Sequence, residues 1–263
     1  MKDTSIRSRI RKGDVTIGTW VTIGHTSIIE ILCDAGFDWL TIDLEHNTIN
    51  QETLRHLIIA GQAKGVAMFV RVPKNDEVYI KQALDAGADG LVVPMIDSHE
   101  DAIKAVQHAY YPPKGSRGVG LSRAQGYGEA FEEYLGWANM NLTIIAQIEH
   151  IDAIEQLEKI ASVDEIDALM IGPYDLSASL GKPGQFDDDI VMTALDDFMR
   201  ITDGCNAHIG QHIVPLEQWR FEDAMKKGYS FIAYGTDFQF LKETKRTVNS
   251  LRSIAEKELY GGN

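Results

Sequence analysis

The sequence predicts an α/β chain folded as a (β/α)8 TIM barrel. Short apolar runs rich in β-branched residues alternate eight times with longer stretches of helical period. The units repeat at roughly 30 residues each, which matches a barrel of about 250 residues. A doubly wound sheet would carry a glycine-rich turn after its first strand, and the stretch from Thr22 to Thr26 is not one. Gly115–Gly120 is glycine-rich but follows no strand, so it does not read as a dinucleotide turn. No repeat, low-complexity tract or linker divides the chain, and residues 1–263 read as one domain.

The elements follow in order. Strand one, Thr16–Thr22, precedes a helix over Ser27–Ala35 that Gly36 would close. Strand two, Trp39–Asp43, leads to a helix over Gln51–Lys64. Strand three, Ala67–Val72, leads to a helix over Glu77–Ala86, with Gly87 just beyond it. Strand four, Gly90–Val93, precedes a helix over His99–Ala109, with Ser98 as its N-cap. The spacing then breaks: Tyr110–Asn141 separates this helix from strand five, Thr143–Ile148. A segment that long in a compact barrel is usually functional or an interface element. A helix over Asp152–Ala161, N-capped by Asp152, follows. Strand six, Ala168–Ile171, leads to a helix over Asp188–Asn206. Strand seven, His208–Ile213, leads to a helix over Leu216–Lys227, ended by Gly228. Strand eight, Phe231–Tyr234, precedes the last helix, Phe238–Lys257.

Charge narrows the function. With 25 basic against 39 acidic residues the net charge is −14, a surface that repels phosphate backbones and anionic bilayers. Neither nucleic acid nor membrane is an expected partner. The N-terminal residues have no apolar stretch behind them, so they read as neither signal peptide nor membrane span. Cys33 and Cys205 have no paired or metal-type spacing, and the expected location is the cytoplasm.

Barrel chemistry sits at the C-terminal ends of the strands. Glu149 and Asp175 close neighbouring strand units, so their oxygens would emerge side by side. They suit a hard divalent cation, or they cap the following helices. Arg71 lies on an apolar strand and either bridges structural carboxylates or clamps an anionic substrate. His46 stands three residues after Asp43 and is either a structural histidine or a general base whose imidazole that carboxylate orients, with Glu45 a partner to a cation-bound water or a solvated acid. Gln147 shares a face with Glu149 and is either a ligand contact or a satisfied core amide. Gly172 and Pro173 leave bare backbone near Tyr174 and Asp175. Asp237 reads as a helix cap, and Arg117 and Arg123 either steer an anionic second substrate or balance the acidic surface. No strand end carries a lysine, which disfavours Schiff-base chemistry.

The motifs Gly36–His46, Val70–Pro73, Leu84–Met95, Tyr111–Gly118, Gln147–Glu149 and Gly172–Ser177 together resemble the HpcH/HpaI aldolases, class II pyruvate aldolases such as 4-hydroxy-2-oxoheptanedioate and 2-dehydro-3-deoxyglucarate aldolase. The resemblance implies a barrel of the phosphoenolpyruvate/pyruvate type, its last helix exchanged with a neighbour, in a hexamer built as a trimer of dimers. It implies that Glu149 and Asp175 bind Mg²⁺, Mn²⁺ or Co²⁺. Arg71 would hold the pyruvyl oxygens, with His46 and Asp43 as a catalytic dyad. Gln147, Gly172, Pro173 and Tyr174 would line the substrate, and Asp85 would reach across a subunit interface. The implied reaction is reversible cleavage of a 4-hydroxy-2-oxo acid to pyruvate and a small aldehyde. Either His46 or a hydroxide on the cation takes the proton. The alternative is a lyase or decarboxylase using the same enolate site, such as a hydroxyacyl-CoA lyase, with Lys114, Arg117 and Arg123 near the coenzyme. Around His208–Pro215, Phe186–Ile190 and Gly120–Ala130 the chain follows no pattern that names the aldehyde.

Overall fold

The computed structural model describes residues 5–260 apart from Asn206. Eight strands close into a barrel, each paired in parallel with the next and β8 with β1. They are β1 Thr16–Val21, β2 Trp39–Asp43, β3 Ala67–Arg71, β4 Gly90–Val93, β5 Thr143–Ile148, β6 Ala168–Ile171, β7 Ile209–Ile213 and β8 Phe231–Thr236. The helices are α1 Ile6–Arg11, α2 Thr26–Asp34, α3 Gln51–Ala63, α4 Glu77–Asp85, α5 His99–Ala109, α6 Phe131–Asn141, α7 Ile151–Glu155, α8 Leu157–Ala161, α9 Pro173–Ser179, α10 Asp189–Gly204, α11 Gln218–Lys226 and α12 Asp237–Tyr260. A short 3₁₀ helix, Arg123–Gly128, precedes α6.

Every expected strand is present within two residues of its expected ends. Ser98 caps α5 as expected, its side chain accepting from the Asp101 amide. Asp152 is not a cap: it stands in the first turn of α7, and His150 Nδ1 takes the capping role. The helix expected to reach Asn206 is α10, which ends at Gly204; Asn206 itself lies outside the described residues. The long segment contains α6, which the spacing did not show. Its sequence has a central Gly136 and little separation of apolar and polar faces.

Inside the barrel, large aromatics meet glycines. Trp39 stacks on Phe231 with centroids 4.0 Å apart, and Phe69 lies 5.7 Å from Trp39. A Cβ on Gly18 would stand 2.1 Å from the Trp39 ring, so the glycine makes the room that the indole fills. Replacing Trp39 with Ala would cost roughly 3–5 kcal/mol.

Helix α1 plugs the N-terminal end. Ile6 and Ile10 pack onto this inner cluster. Asp167 accepts from Arg7 Nε at 2.9 Å, Arg11 Nε at 2.6 Å and the Ile144 amide at 3.0 Å. The plug leaves the opposite end, where the strands terminate, as the open mouth.

Candidate active site

The register that pairs Asp43 with Arg71 puts a carboxylate beside a guanidinium at the mouth. Arg71 Nε donates to Asp43 Oδ1 at 2.8 Å, and Nη1 lies 2.9 Å from Glu45 Oε2. Its Cζ stands 4.4 Å from the centroid of the Trp20 ring. Two carboxylates and an aromatic face thus offset the burial of the cation and fix its direction. The structural bridge and the anion clamp are both compatible with this side chain, because it also lines the mouth cavity.

Asp43 is nearly fully buried. Burial pushes its carboxyl up, but the bond and charge of Arg71, with the amides of Glu45 and His46, outweigh it and hold the group below the usual range. Its Oδ2 accepts from Asn47 Nδ2 at 2.6 Å. The expected contact between this carboxylate and the His46 ring is not formed. Asp43 meets His46 through the backbone amide at 3.5 Å, and the imidazole Nε2 lies 3.7 Å from Glu45 Oε2. The oxygens of Asp43 are already engaged by Arg71, Asn47 and the loop backbone, so Glu45 is the acid nearest the ring.

Glu149 is 3% exposed. Its Oε1 accepts from the Met95 amide at 2.8 Å, and its Oε2 from Gln147 Nε2 at 2.6 Å. Met95 adopts φ 51°, the left-handed region that non-glycine residues rarely enter, and so aims its N–H at the acid. Burial pushes Glu149 up to about 7; the Met95 amide opposes this, while the charges of Glu45 and Asp175 add to it. Gln147 Oε1 is buried without a partner. A Cβ on Gly172 would stand 2.9 Å from Glu149 Cβ and 3.0 Å from its Oε2, so the glycine clears the space in which the acid stands. Pro173 opens α9 as its first residue, which places Asp175 in the first turn. Among the described residues no three His, Cys, Asp or Glu side chains form a ready metal cage. The donor set nevertheless fits a hard cation: Glu149 and Asp175 repel each other and an amide oxygen is free beside them.

A cavity of about 560 Å³ joins these groups, lined by His46, Arg71, Gln147 and Gly172–Asp175. Trp20 and His212 line it too, and the sequence reading passed over both. Their signal was position, near the ends of β1 and β7, but neither residue type alone points to chemistry. Tyr174 is exposed and meets Phe186 edge-on at 4.9 Å. Asp85 is not in this cavity; it ends α4 and pairs with Arg117. Lys227 reaches the rim from the end of α11, paired with Asp223 at 2.8 Å and more than half exposed, unlike the desolvated amine of a Schiff-base site. The supposed surface cations are both tied to groups of the chain, Arg117 buried and Arg123 half-buried. Arg117 is 1% exposed, donating to Asp85 and to Tyr134 Oη at 3.1 Å, and Arg123 holds the Ala86 carbonyl and Gln62. Asp237 does more than cap α12. Its carboxylate accepts from the Phe238, Thr22 and Ile23 amides, each at 2.7 Å, and so ties the loop after β1 to β8.

Residues 16–244 match the family described as HpcH/HpaI aldolase/citrate lyase. The chain belongs to this family. It is a carbon–carbon lyase by that membership. A hydroxypyruvate/pyruvate aldolase of Roseobacter denitrificans is 34% identical over 93% of this chain and 95% of its own length. A 4-hydroxy-2-oxovalerate aldolase of Novosphingobium aromaticivorans is 37% identical over 90% of each chain. The crystal structure of a family member from Burkholderia cenocepacia superposes with a TM-score of 0.87 at 30% identity, covering 94% of this chain and 98% of that one. No described helix is long and apolar enough to cross a membrane.

Proposed function

We propose that this protein is a divalent-metal-dependent pyruvate aldolase, which reversibly cleaves a 4-hydroxy-2-oxo acid to pyruvate and an aldehyde. One observation carries the reading. A buried Glu149, raised by its own burial and by Glu45 and Asp175, accepts a hydrogen bond from Gln147, which lines one cavity with Asp175 and a guanidinium held in a fixed direction. Glu149 and Asp175 would hold Mg²⁺, Mn²⁺ or Co²⁺, with Gln147 Oε1 free to meet the same ligands. The cation, when bound, supplies Lewis acidity toward the pyruvyl oxygens.

The other tasks fall to the chain. Arg71 binds the anionic pyruvyl end and stabilises the charge that grows on its oxygen as the enolate forms. Asp43 and Glu45 position that guanidinium. In cleavage, the C4 hydroxyl loses its proton, the C3–C4 bond breaks, and the pair of electrons moves into the enolate. A proton then returns to C3 to give pyruvate. His46, with its side chain 64% exposed at the rim and beside Glu45, carries protons between the cavity and solvent. The backbone around Gly172, Pro173 and Tyr174 receives the substrate.

Asp85 would serve the site of a neighbouring copy, as the resemblance implies for a hexamer. The exposed stripe Leu241, Val248, Leu251 and Ile254 gives α12 a face to exchange with that neighbour. The coenzyme A alternative is disfavoured, because Lys114, Arg117 and Arg123 all pair within the chain. A coupled lactate dehydrogenase assay reads pyruvate release from 4-hydroxy-2-oxo acids. Activity should vanish after rigorous chelation and return with Mg²⁺, Mn²⁺ or Co²⁺; full activity without metal would contradict the proposal.

A further inference from the structure

His212 is a largely buried titratable group of the mouth to which the proposed reaction gives no task. It sits on β7 with the parity of Gly210, whose missing Cβ would meet Phe231 of the inner cluster, so this face of the strand points into the barrel. Its ring lies 5.3 Å from that of Trp20, and Trp20 in turn lies under Arg71. The imidazole is therefore in the same layer as the guanidinium, across the cavity both residues line.

The hydrogen bonds of the ring fix its tautomer. Nε2 stands 3.0 Å from the carbonyl oxygen of Gly235. A carbonyl only accepts, so Nε2 carries the hydrogen, and in the neutral ring Nδ1 is left with a bare lone pair. Burial, opposed by the Gly235 carbonyl and reinforced by the Arg71 charge, pushes the group down to about 4, so the ring is neutral near pH 7. Among the described residues no hydrogen bond reaches Nδ1, and Nδ1 is not among the sealed, unpartnered polar atoms of the core. The site thus holds a rigid neutral acceptor beside the Trp20 ring, across the cavity from the Gln147 amide. Neither Arg71 nor a pyruvyl carbonyl or methyl group requires it; a hydroxyl does.

We propose that His212 Nδ1 accepts a hydrogen bond from a substrate hydroxyl, and that this chain acts on hydroxylated partners in preference to their deoxy counterparts. The inference rests on the aldolase reading above. Two sources supply the same chemistry: the C3 hydroxyl of a 3-hydroxy-2-oxo acid donor, or the C2 hydroxyl of a short aldehyde.

Two variants separate the lone pair from the structural bond. His212→Gln keeps an amide N–H for the Gly235 carbonyl but has no acceptor near the Nδ1 position. His212→Asn keeps an acceptor there and gives up the Gly235 bond. The experiment measures kcat/KM ratios in two arms with metal-loaded enzyme: hydroxypyruvate against pyruvate with one plain aldehyde, and glycolaldehyde against acetaldehyde with pyruvate. His212→Gln should lower the hydroxyl preference about five- to tenfold in one arm, which identifies the source, while His212→Asn retains most of it. The opposite pattern, or unchanged ratios in both arms for both variants, would overturn the proposal. Hydrogen–deuterium exchange of the pyruvate methyl group by the wild-type enzyme is the control. Its absence would overturn the aldolase reading itself, on which the assignment depends, whereas its presence with unchanged ratios would remove His212 alone.

Discussion

The two ends of the barrel are built from similar residues and differ in how their polar groups are satisfied. At the N-terminal end three acids find protein partners. Asp167 takes Arg7, Arg11 and a backbone amide; Asp38 takes Arg9 and the Ile17 amide; Asp89 takes the Met68 amide and Gln62. At the mouth Glu45, Glu149 and Asp175 act on one another as like charges, Gln147 Oε1 and Trp20 Nε1 are buried without partners, and Met95 holds a strained backbone angle. Buried polar groups that cannot pair within the chain cost stability. The closed end is arranged for folding, and the open end is left to be completed by a ligand.

Substitutions at the two ends should therefore fail differently. Arg71→Ala should lower kcat/KM about a thousandfold while the protein still folds, as steady-state kinetics and thermal melts together would show. Asp167→Ala should do the reverse. It leaves one buried and one half-exposed guanidinium without their carboxylate partner and should cost about 3 kcal/mol in denaturant unfolding, with turnover per folded molecule retained.

Glu149→Gln sharpens the contrast, since it should stabilise the metal-free protein. The folded-state value of Glu149, about 7, lies above the ordinary 4.5. The native state keeps the proton between those values, so the metal-free protein loses stability as pH rises from 4.5 to about 7 and levels off above it. At pH 8 the variant should be roughly 2 kcal/mol more stable than wild type, and at pH 4 the gain should disappear. The metal affinity of the wild type should for the same reason climb with pH and level off above 7. The smallest effect is expected from Gly172→Ala, whose methyl would press on Glu149: about a tenfold loss of metal affinity by calorimetry.

The strands were legible because each is an apolar, β-branched run set off by a glycine or an acid, and their register then fixes which residues share the mouth. Pairing choices were not legible. Spacing offers His46 the carboxylate of Asp43, but the loop turns back so that Asp43 meets Arg71 and Asn47, leaving Glu45 nearest the ring. The plug α1 was missed because four of its residues are arginine or serine, and only Ile6 and Ile10 reveal that one face is buried. The short α9 escaped because seven residues hold too few turns to show a period. Arg117 reads as a surface charge in sequence, yet the fold surrounds it with Asp85, Tyr111 and Tyr134.

The claim that the mouth is completed by a divalent cation and forms a pyruvate enolate there is tested most directly by following the pyruvate methyl signal in D₂O by NMR. The exchange of its protons should be fast with metal-loaded enzyme, cease on chelation and resume when Mg²⁺ or Mn²⁺ is returned. Exchange that continues undiminished after complete metal removal, or that no divalent cation can elicit, would contradict the account.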